Sequence, residues 1–394
     1  MTARIGVNLT WLQPGVVGGS EEFTVRLLQA FYDHQSTDLG RDGFKLCLYG
    51  SQELFDTYPD LVERFATKSP PAWVMAGKAG RVGAENSWLA SVTRNDDLVH
   101  HAGGVVPLIR SAPSVVTIFD LQPVVMPENF GAVKRCWLNT MLPYSARAAR
   151  LVICPSRFTA DAIVERFGVS PSAVRVISQG YVRRSGPSRP TNEQLNQQMI
   201  DRFGRFCLYP AIAYPHKRHR DLVVAFGLLS PELGDVSLVF TGRPGPETES
   251  LKTQVARAGL TSKIHFVGRV PTDELEALYN SAKAVVFCSE FEGFGNPVLE
   301  AMSHGVPVIT SDAPALVEVS AGAAVVVPAR SPAGLAEAIT DLLVKPDTAE
   351  ALVEAGHRRV KQFLSVDSGK NLAAAYADAF QVYPEPNHSA ERLG

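Results

Sequence analysis

The sequence predicts an α/β protein of two Rossmann-like lobes whose parallel sheets face a central cleft. Three observations carry this. Short apolar runs alternate with amphipathic helical stretches along the chain, the pattern of parallel sheets covered by helices. The alternation breaks near Gly180, where Arg183-Arg-Ser-Gly-Pro-Ser-Arg-Pro190 is rich in Pro, Gly and Ser and reads as a linker. The 394 residues suffice for two domains, each with its own core. In such folds ligands bind at the carboxyl ends of the strands and between lobes.

The first lobe is placed at residues 1–182. Strands are expected at Arg4–Leu9, Phe44–Tyr49, Asp97–His100, Ser114–Phe119 and Leu151–Cys154, with helices over Ser20–His34 and Ser156–Phe167. The linker is drawn over residues 183–200. The second lobe, residues 201–365, repeats the pattern with strands at Phe206–Pro210, Val236–Thr241, Ile264–Gly268, Ala284–Cys288, Val306–Thr310 and Ala323–Val327. A last helix is expected from Gly369 to Gln381, within residues 366–383. The Pro- and polar-rich residues 384–394 read as a disordered tail.

Formal net charge is −2, which gives no bulk electrostatic case for binding nucleic acid or an acidic polymer. The five cysteines, Cys47, Cys136, Cys154, Cys207 and Cys288, show no paired spacing. That pattern points to reduced thiols in a cytoplasmic protein, not to a disulfide frame or a zinc site. Cys154 and Cys288 lie in apolar strand runs and read as small hydrophobes. The opening Met-Thr-Ala-Arg-Ile-Gly-Val-Asn enters a strand at once, so no signal peptide is expected. No apolar run approaches the ~20 residues of a membrane span. A soluble protein is expected, one still able to touch the inner face of a membrane.

The most informative segment is Glu292-Gly-Phe-Gly-Asn-Pro-Val-Leu-Glu300. Two carboxylates bracket a turn that follows an apolar strand and opens a helix. Pro297 suits the first helical turn, Asn296 reads as its N-cap, and Gly305 with Pro307 closes it. Backbone N–H groups from Gly295 to Val298 would then sit at the positive end of a helix, a site for a diphosphate. Glu300, one turn in, can accept hydrogen bonds from ribose hydroxyls. Glu292 lies ahead of the helix, facing whatever the phosphate carries. The competing reading is a surface helix with two solvated glutamates, which the Gly-Phe-Gly-Asn-Pro turn disfavours.

Residues Phe266 to about Ala329 resemble the donor-binding half of family 4 retaining glycosyltransferases, whose two-lobe architecture is called GT-B. The matching stretches are Phe266-Val-Gly-Arg-Val270, Leu278-Tyr-Asn-Ser-Ala282, Ser289-Glu-Phe-Glu-Gly-Phe-Gly-Asn-Pro-Val-Leu-Glu-Ala-Met302, Gly305-Val-Pro-Val-Ile309 and Glu318. The likeness is specific over roughly the last half of the chain and weaker over the first. It implies that Glu300 contacts the nucleotide ribose and Glu292 the donor sugar, with Phe294, Gly295, Asn296, Pro297 and Val298 lining the donor site. Val270 would meet the base through its backbone. The family's last helix crosses back onto the first lobe, a role that falls to Gly369–Gln381.

Other constellations follow the same likeness. Gly18-Gly19, after the first strand, lets backbone approach a ligand, with Ser20 expected to cap the helix. As a motif it is open between a structural turn and a ligand loop; the resemblance assigns it to the donor diphosphate. Lys217, in Pro210-Ala-Ile-Ala-Tyr-Pro-His-Lys-Arg-His219, can neutralise a departing diphosphate. A solvated basic loop is the plain alternative. Ala211 stands where many relatives carry an arginine, and Arg218 stands where a branch of the family carries asparagine. The second cation is therefore open between Arg218 and Arg243. Phe119 occupies the place of a common family histidine that contacts the donor sugar. His100 and His101 could substitute, or be core or surface histidines, and Asp120 is the preferred site residue on that edge. Lys134, Arg135, Trp137, Arg147, Arg150 and Arg157 could meet an anionic acceptor or lipid head group, but an amphipathic helix packed on the lobe with its arginines in solvent is favoured.

The donor region holds no Asp-x-Asp metal motif. The resemblance implies a retaining hexosyltransferase using front-face attack, and without such a motif or a convincing covalent nucleophile it is expected to need neither metal nor cofactor. Catalytic roles fall to Glu292, Lys217 and Asp120. The resemblance favours GDP-mannose over UDP-glucose as donor, a glycan, lipid-linked or small-molecule acceptor, and a place in polysaccharide synthesis. Two alternatives remain at this stage: a sugar-nucleotide epimerase or hydrolase using His100 and His101, and a non-catalytic nucleotide-sugar-binding relative. A dinucleotide oxidoreductase is disfavoured because no Gly-x-Gly-x-x-Gly follows the first strand.

Overall fold

A computed structural model of the chain describes residues 2–16, 18–37, 43–71, 77–180, 192–363 and 365–381. Two compact units emerge, one of residues 1–180 with 365–394, the other of residues 181–364.

The first unit carries β1 (Ala3–Asn8), β2 (Phe44–Tyr49), β3 (Ala66–Lys68), β4 (Leu98–His101), β5 (Ser114–Thr117), β6 (Leu151–Cys154) and β7 (Val174–Val176). They form one parallel sheet in the order β3-β2-β1-β4-β5-β6-β7. Strands β4, β5 and β6 are buried at every position, which is why β5 and β6 read as unbroken apolar or small-residue runs, while β4 buries His100 and His101 as well. The short strands β3 and β7 lie at the sheet's edges and carry too few apolar residues to announce themselves. The strand order reverses between β1 and β4, opening a crevice at their carboxyl ends.

The Ser365–Gln381 helix closes this unit against the Gly19–Gln35 helix. The two approach so closely that a Cβ on Gly369 would meet the Ala30 carbonyl oxygen at 2.1 Å. Tyr376, fully buried, packs edge-on against Phe31 and holds its hydroxyl 2.9 Å from His100 Nδ1. His100 Nε2 lies 2.7 Å from Thr117 Oγ1. Arg175 pairs with Asp378 at 2.7 Å.

The second unit carries β8 (Arg205–Pro210), β9 (Val236–Thr241), β10 (Ile264–Gly268), β11 (Ala284–Phe287), β12 (Val308–Ser311) and β13 (Val325–Val327). These six parallel strands run in the order β10-β9-β8-β11-β12-β13, so the reversal falls between β8 and β11. Strand β12 begins after Pro307, which has no N–H to give the ladder, although its carbonyl accepts from Val285.

The linker expected over residues 183–200 is too long. Residues Glu193–Phe203 form a helix capped by Asn192, whose side chain accepts from Leu195 N–H at 3.2 Å. Its Leu195, Met199 and Phe203 recur every fourth residue, and Phe203 packs on Phe206 and His265 of the second unit. The Pro/Gly signal stops at Pro190, and the helical spacing after it was the better guide. Residues 183–191 and the tail 384–394 lie outside the described residues.

Two stability predictions follow. Gly369→Ala gains about 1 kcal/mol of helix propensity but sets a methyl against backbone that cannot rotate away, typically a cost of 1–3 kcal/mol. The thermal midpoint should therefore drop, and a midpoint at or above wild type would refute this packing. Burial also pushes His100 and His101 down to about 3. They fold neutral and take up protons on unfolding below their ordinary value of 6.5, so stability is full above that pH and falls as pH drops towards 3. Each contributes at most about 1.4 kcal/mol per pH unit. Denaturant unfolding between pH 7.5 and 5 should show a shallower decline for His100→Gln; parallel declines would exclude His100 as a contributor.

Candidate active site

The second unit's crevice is built where β8 and β11 leave the sheet. The Glu290 N–H donates to the His216 carbonyl at 2.9 Å, stitching the two exits together. Ser289 is fully buried, and its carbonyl accepts a close hydrogen bond from the Ser311 hydroxyl. The turn then bends through Gly295 at φ 122°, where a Cβ would strike Leu316 at 2.6 Å. Only glycine serves there.

The Asn296–Ser303 helix starts at Gly295, not behind an Asn296 side-chain cap, since the left-side backbone of Gly295 already makes the entry. The expectation of donors from Gly295 to Val298 also narrows. Pro297 has no N–H, and Val298 donates to the Gly295 carbonyl at 3.0 Å. The amides of Gly295 and Asn296 remain as the candidate anion donors. Glu300 stands one turn in, its Oε2 accepting from the Tyr279 hydroxyl at 2.8 Å.

Lys217 ends the short turn Pro215–Lys217, and its ammonium forms a close ion pair with Glu292 Oε1. Their side chains are 17% and 14% exposed. The ammonium also lies 5.1 Å from the Phe287 ring centroid. Beneath it, the Tyr209 hydroxyl donates to the Lys217 carbonyl, and the Tyr209 ring stacks on His219 at 4.4 Å. His219 is pushed down to about 3 by burial, and its Nε2 lies 3.3 Å from the Ala211 carbonyl. His216 is pushed down to about 4, by burial first and then by the Lys217 charge. Neutral imidazoles thus support the lysine without competing for an anion.

Arg218, a candidate second cation, sits in left-handed backbone at φ 56° and holds Asp221 through two hydrogen bonds of 2.8 and 3.0 Å. It also lies 4.0 Å from Glu290, which Arg330 pairs at 2.7 Å. Arg218 is therefore committed to bracing the turn. Arg243 follows Gly242, whose absent Cβ would meet the Ala211 backbone at 2.9 Å. The residue before Arg243 in sequence thus lies against Ala211, the position where the arginine is missing. Val270 packs partly buried on the core, just after Gly268, whose carbonyl accepts from Thr241 Oγ1 and Gly242 N–H, each at 2.9 Å.

In the first unit, Gly18 takes φ 72° with open space where a Cβ would stand. Ser20 does not cap the helix: Gly18 is the N-cap, and no side chain bonds there. Glu21, buried, instead pins the preceding loop by accepting from Gly15 N–H at 3.0 and 2.9 Å and from the Tyr58 hydroxyl at 2.6 Å. Phe119 fills an aromatic cluster with Trp11 and Phe23, at 5.7 and 5.3 Å. It supplies packing where the family's histidine would supply a polar contact. Asp120 accepts from Gln122 N–H at 2.8 Å and stays half-buried.

His100 and His101 do not substitute for that histidine. They are 3% and 1% exposed and engaged internally, His101 lying 3.3 Å from both Asn8 Nδ2 and Ser114 Oγ. Burial lowers both from their ordinary value, which keeps them neutral near pH 7. Lys134, Arg135, Trp137 and Arg147 of the basic section lie on the Ala132–Ala148 helix, with residues 131–137 all exposed, while Arg150 and Arg157 lie beyond it. The section's arginines are not all in solvent: Arg147 Nε donates to the Phe167 carbonyl at 2.8 Å, and Arg150 to that of Ala379 at 3.3 Å.

Sequence reasoning missed Tyr279, Tyr209 and the Glu290–Arg330 pair. A phenol within an otherwise apolar run needs a buried partner, which was the available signal for Tyr209; Tyr279, followed by Asn280 and Ser281, carried no such signal. Nothing local marks Arg330, which meets Glu290 only through the sheet order. Among the described residues, no three His, Cys, Asp or Glu side chains gather to hold a metal ion, and no helix is long and apolar enough to cross a membrane.

Residues 39–182 match the family described as Glycosyltransferase Family 4, and residues 191–359 the one described as Glycosyl transferases group 1. O-antigen chain mannosyltransferase B of Escherichia coli is 28% identical over 73% of this chain and 74% of its own length. O-antigen chain mannosyltransferase RfbU of Salmonella typhimurium is 26% identical, over 57% of this chain and 59% of its own. A serotype-specific mannosyltransferase WbdA of E. coli is 31% identical over 57% of this chain, but the match spans only 29% of that longer protein. Among solved structures, HepE of Anabaena in complex with UDP and glucose superposes with a TM-score of 0.73 at 18% identity, covering 95% of this chain and 99% of that one. Sucrose-phosphate synthase of Thermosynechococcus elongatus gives 0.71 at 18%, covering 97% and 100%. Two Rossmann-like parallel-sheet units with these structural neighbours define the GT-B fold. Within that class, the chain belongs to family 4 of the glycosyltransferases.

The Lys217–Glu292 pair yields a direct prediction. Glu292→Gln keeps the shape but removes the charge that occupies the ammonium. For a partly exposed pair worth up to about 1 kcal/mol, affinity for inorganic pyrophosphate should rise about fivefold by calorimetry. Lys217→Met should abolish that binding. Unchanged affinity in the glutamine variant would show that the pair does not compete with an anion.

Proposed function

We propose that the chain is a retaining hexosyltransferase that moves mannose from GDP-mannose to a glycan or lipid-linked acceptor. The observation that carries this reading is the Lys217–Glu292 contact beside the Gly295 and Asn296 amides, with Glu300 one turn further along the same helix. Cation, amides and two carboxylates line up as phosphate, sugar and ribose contacts would require. The named mannosyltransferase relatives favour mannose. The UDP-glucose held by HepE makes that donor the second choice.

In this reading Glu300 takes the ribose, the Val270 backbone meets the base, and Glu292 orients sugar hydroxyls. Lys217, Arg243 and the two amides stabilise the diphosphate as the anomeric C–O bond breaks, so that no divalent cation is required. The acceptor oxygen bonds the anomeric carbon from the same face, and its proton passes to the leaving phosphate oxygen. In the first unit Asp120 stays the preferred catalytic candidate, and Gly18 and Gly19 the candidate ligand loop. The work would take place in the cytoplasm or at the inner face of a membrane. With His100 and His101 buried, no observation favours the epimerase or hydrolase, and the intact Lys217–Glu292 pair speaks against a decayed, binding-only site.

A thermal-shift panel of nucleotide sugars tests the reading. A ligand at 100 times its dissociation constant stabilises by about 2.7 kcal/mol. GDP-mannose should give the largest shift, Glu300→Ala should remove it, and transfer should persist in EDTA. A flat response to every nucleotide sugar, or an undiminished shift in Glu300→Ala, would overturn the assignment.

A further inference from the structure

Tyr279 lies on the Thr272–Ser281 helix and is 2% exposed, yet its hydroxyl donates to the Glu300 carboxylate at 2.8 Å. A second link runs beside the first. Asn280, the next residue, places Oδ1 2.7 Å from Nδ1 of His304. Because the amide oxygen only accepts, the hydrogen sits on Nδ1 of the imidazole. His304 stands four residues after Glu300 on the same helical face, and its ring lies parallel to the Tyr279 ring, 5.2 Å away and inclined by 8°. Two adjacent residues of one helix thus clamp two residues one turn apart on the other.

The arrangement is more than a fastening between helices. A half-buried carboxylate on a flexible stem can rotate, and each rotation changes which lone pairs face a ligand. The phenol fixes one oxygen, the stacked imidazole fixes the phenol ring, and the amide fixes the imidazole. The plane of the carboxylate is thereby set before any ligand arrives, which removes an ordering cost from binding. A set plane matters most for a ligand presenting two hydroxyls at a fixed separation.

We propose that Tyr279, locked by His304 and Asn280, is a positioning residue that orients the Glu300 carboxylate to read the vicinal 2′- and 3′-hydroxyls of the donor nucleoside. The inference rests on the assignment of Glu300 to the ribose and adds to it a discrimination between ribose and dideoxyribose set by the phenol.

The test compares wild type, Tyr279→Phe and Glu300→Ala by calorimetry, using GDP, UDP and ADP, with the tightest binder repeated as its 2′,3′-dideoxy form. Tyr279→Phe should weaken the ribonucleotide roughly ten- to hundredfold, the loss of one hydrogen bond to a charged group. The dideoxynucleotide should bind wild type and Tyr279→Phe equally. In transfer assays the variant should raise KM for the donor with kcat little changed, as for an interaction made equally in ground and transition states. If Glu300→Ala weakens the ribonucleotide while Tyr279→Phe does not, the positioning role is refuted and the ribose assignment stands. If Tyr279→Phe weakens both nucleotides alike, the phenol is only a structural fastening and the proposal fails. If Glu300→Ala changes nothing, or none of the three nucleotides binds, the ribose assignment falls and the inference with it.

Discussion

The candidate site in the second unit depends on one main-chain hydrogen bond, from the Glu290 N–H to the His216 carbonyl. Parallel strands at a reversal point diverge after leaving the sheet, because their following helices go to opposite faces. Without a tie, Lys217 after β8 and Glu292 after β11 would ride on independent loops. The bond holds the exits together, Tyr209 anchors the Lys217 carbonyl from below, and Ser311 anchors that of Ser289 from the side. Each anchor lies on a buried strand or at its end, so a contact between loop side chains inherits the rigidity of the sheet.

Charge is arranged around that frame with little left over. Lys217 meets Glu292, Arg218 meets Asp221 and Glu290, and Arg330 meets Glu290. A positive crevice awaiting a diphosphate would repel itself when empty and lose the hydration of its cations. Pairing removes that cost in the free protein. The consequence is that an anion reaching the Lys217 ammonium would compete with the Glu292 carboxylate. Histidines beside the lysine are kept neutral by burial, so the balance does not drift across the range from pH 5 to 8.

The sheets and the central motif were legible because their signals are local. A buried parallel strand is an apolar run, and a turn such as Gly-Phe-Gly-Asn-Pro permits few backbones. What escaped was decided by partners distant in sequence. The Glu193–Phe203 helix was hidden by a linker signal that had already ended at Pro190. Ser20 and Asn296 have the right chemistry for caps, but Gly18 and Gly295 make the helix entries through positive φ instead. His100 and His101 sit at a strand end in sequence, where exposure is the natural guess, yet β1, β5 and Tyr376 enclose them. Tyr279 stood in plain view within the resembling stretch, but a hydroxyl's partner cannot be read from its neighbours.

The two units solve the same problem of an open carboxyl edge by different means. The second lines its edge with ion pairs that a charged ligand can exchange. The first fills its edge with the rings of Trp11, Phe23 and Phe119, tight enough that a Cβ on Gly103 would strike Trp11 at 2.4 Å. Its carboxylates are turned inward: Glu21 holds the Gly15 loop, and Glu85 accepts from Thr10 at 2.7 Å, its pKa raised by burial. Replacing the family's histidine by Phe119 is therefore not an isolated loss. It belongs to an apolar wall built with Trp11 and Phe23.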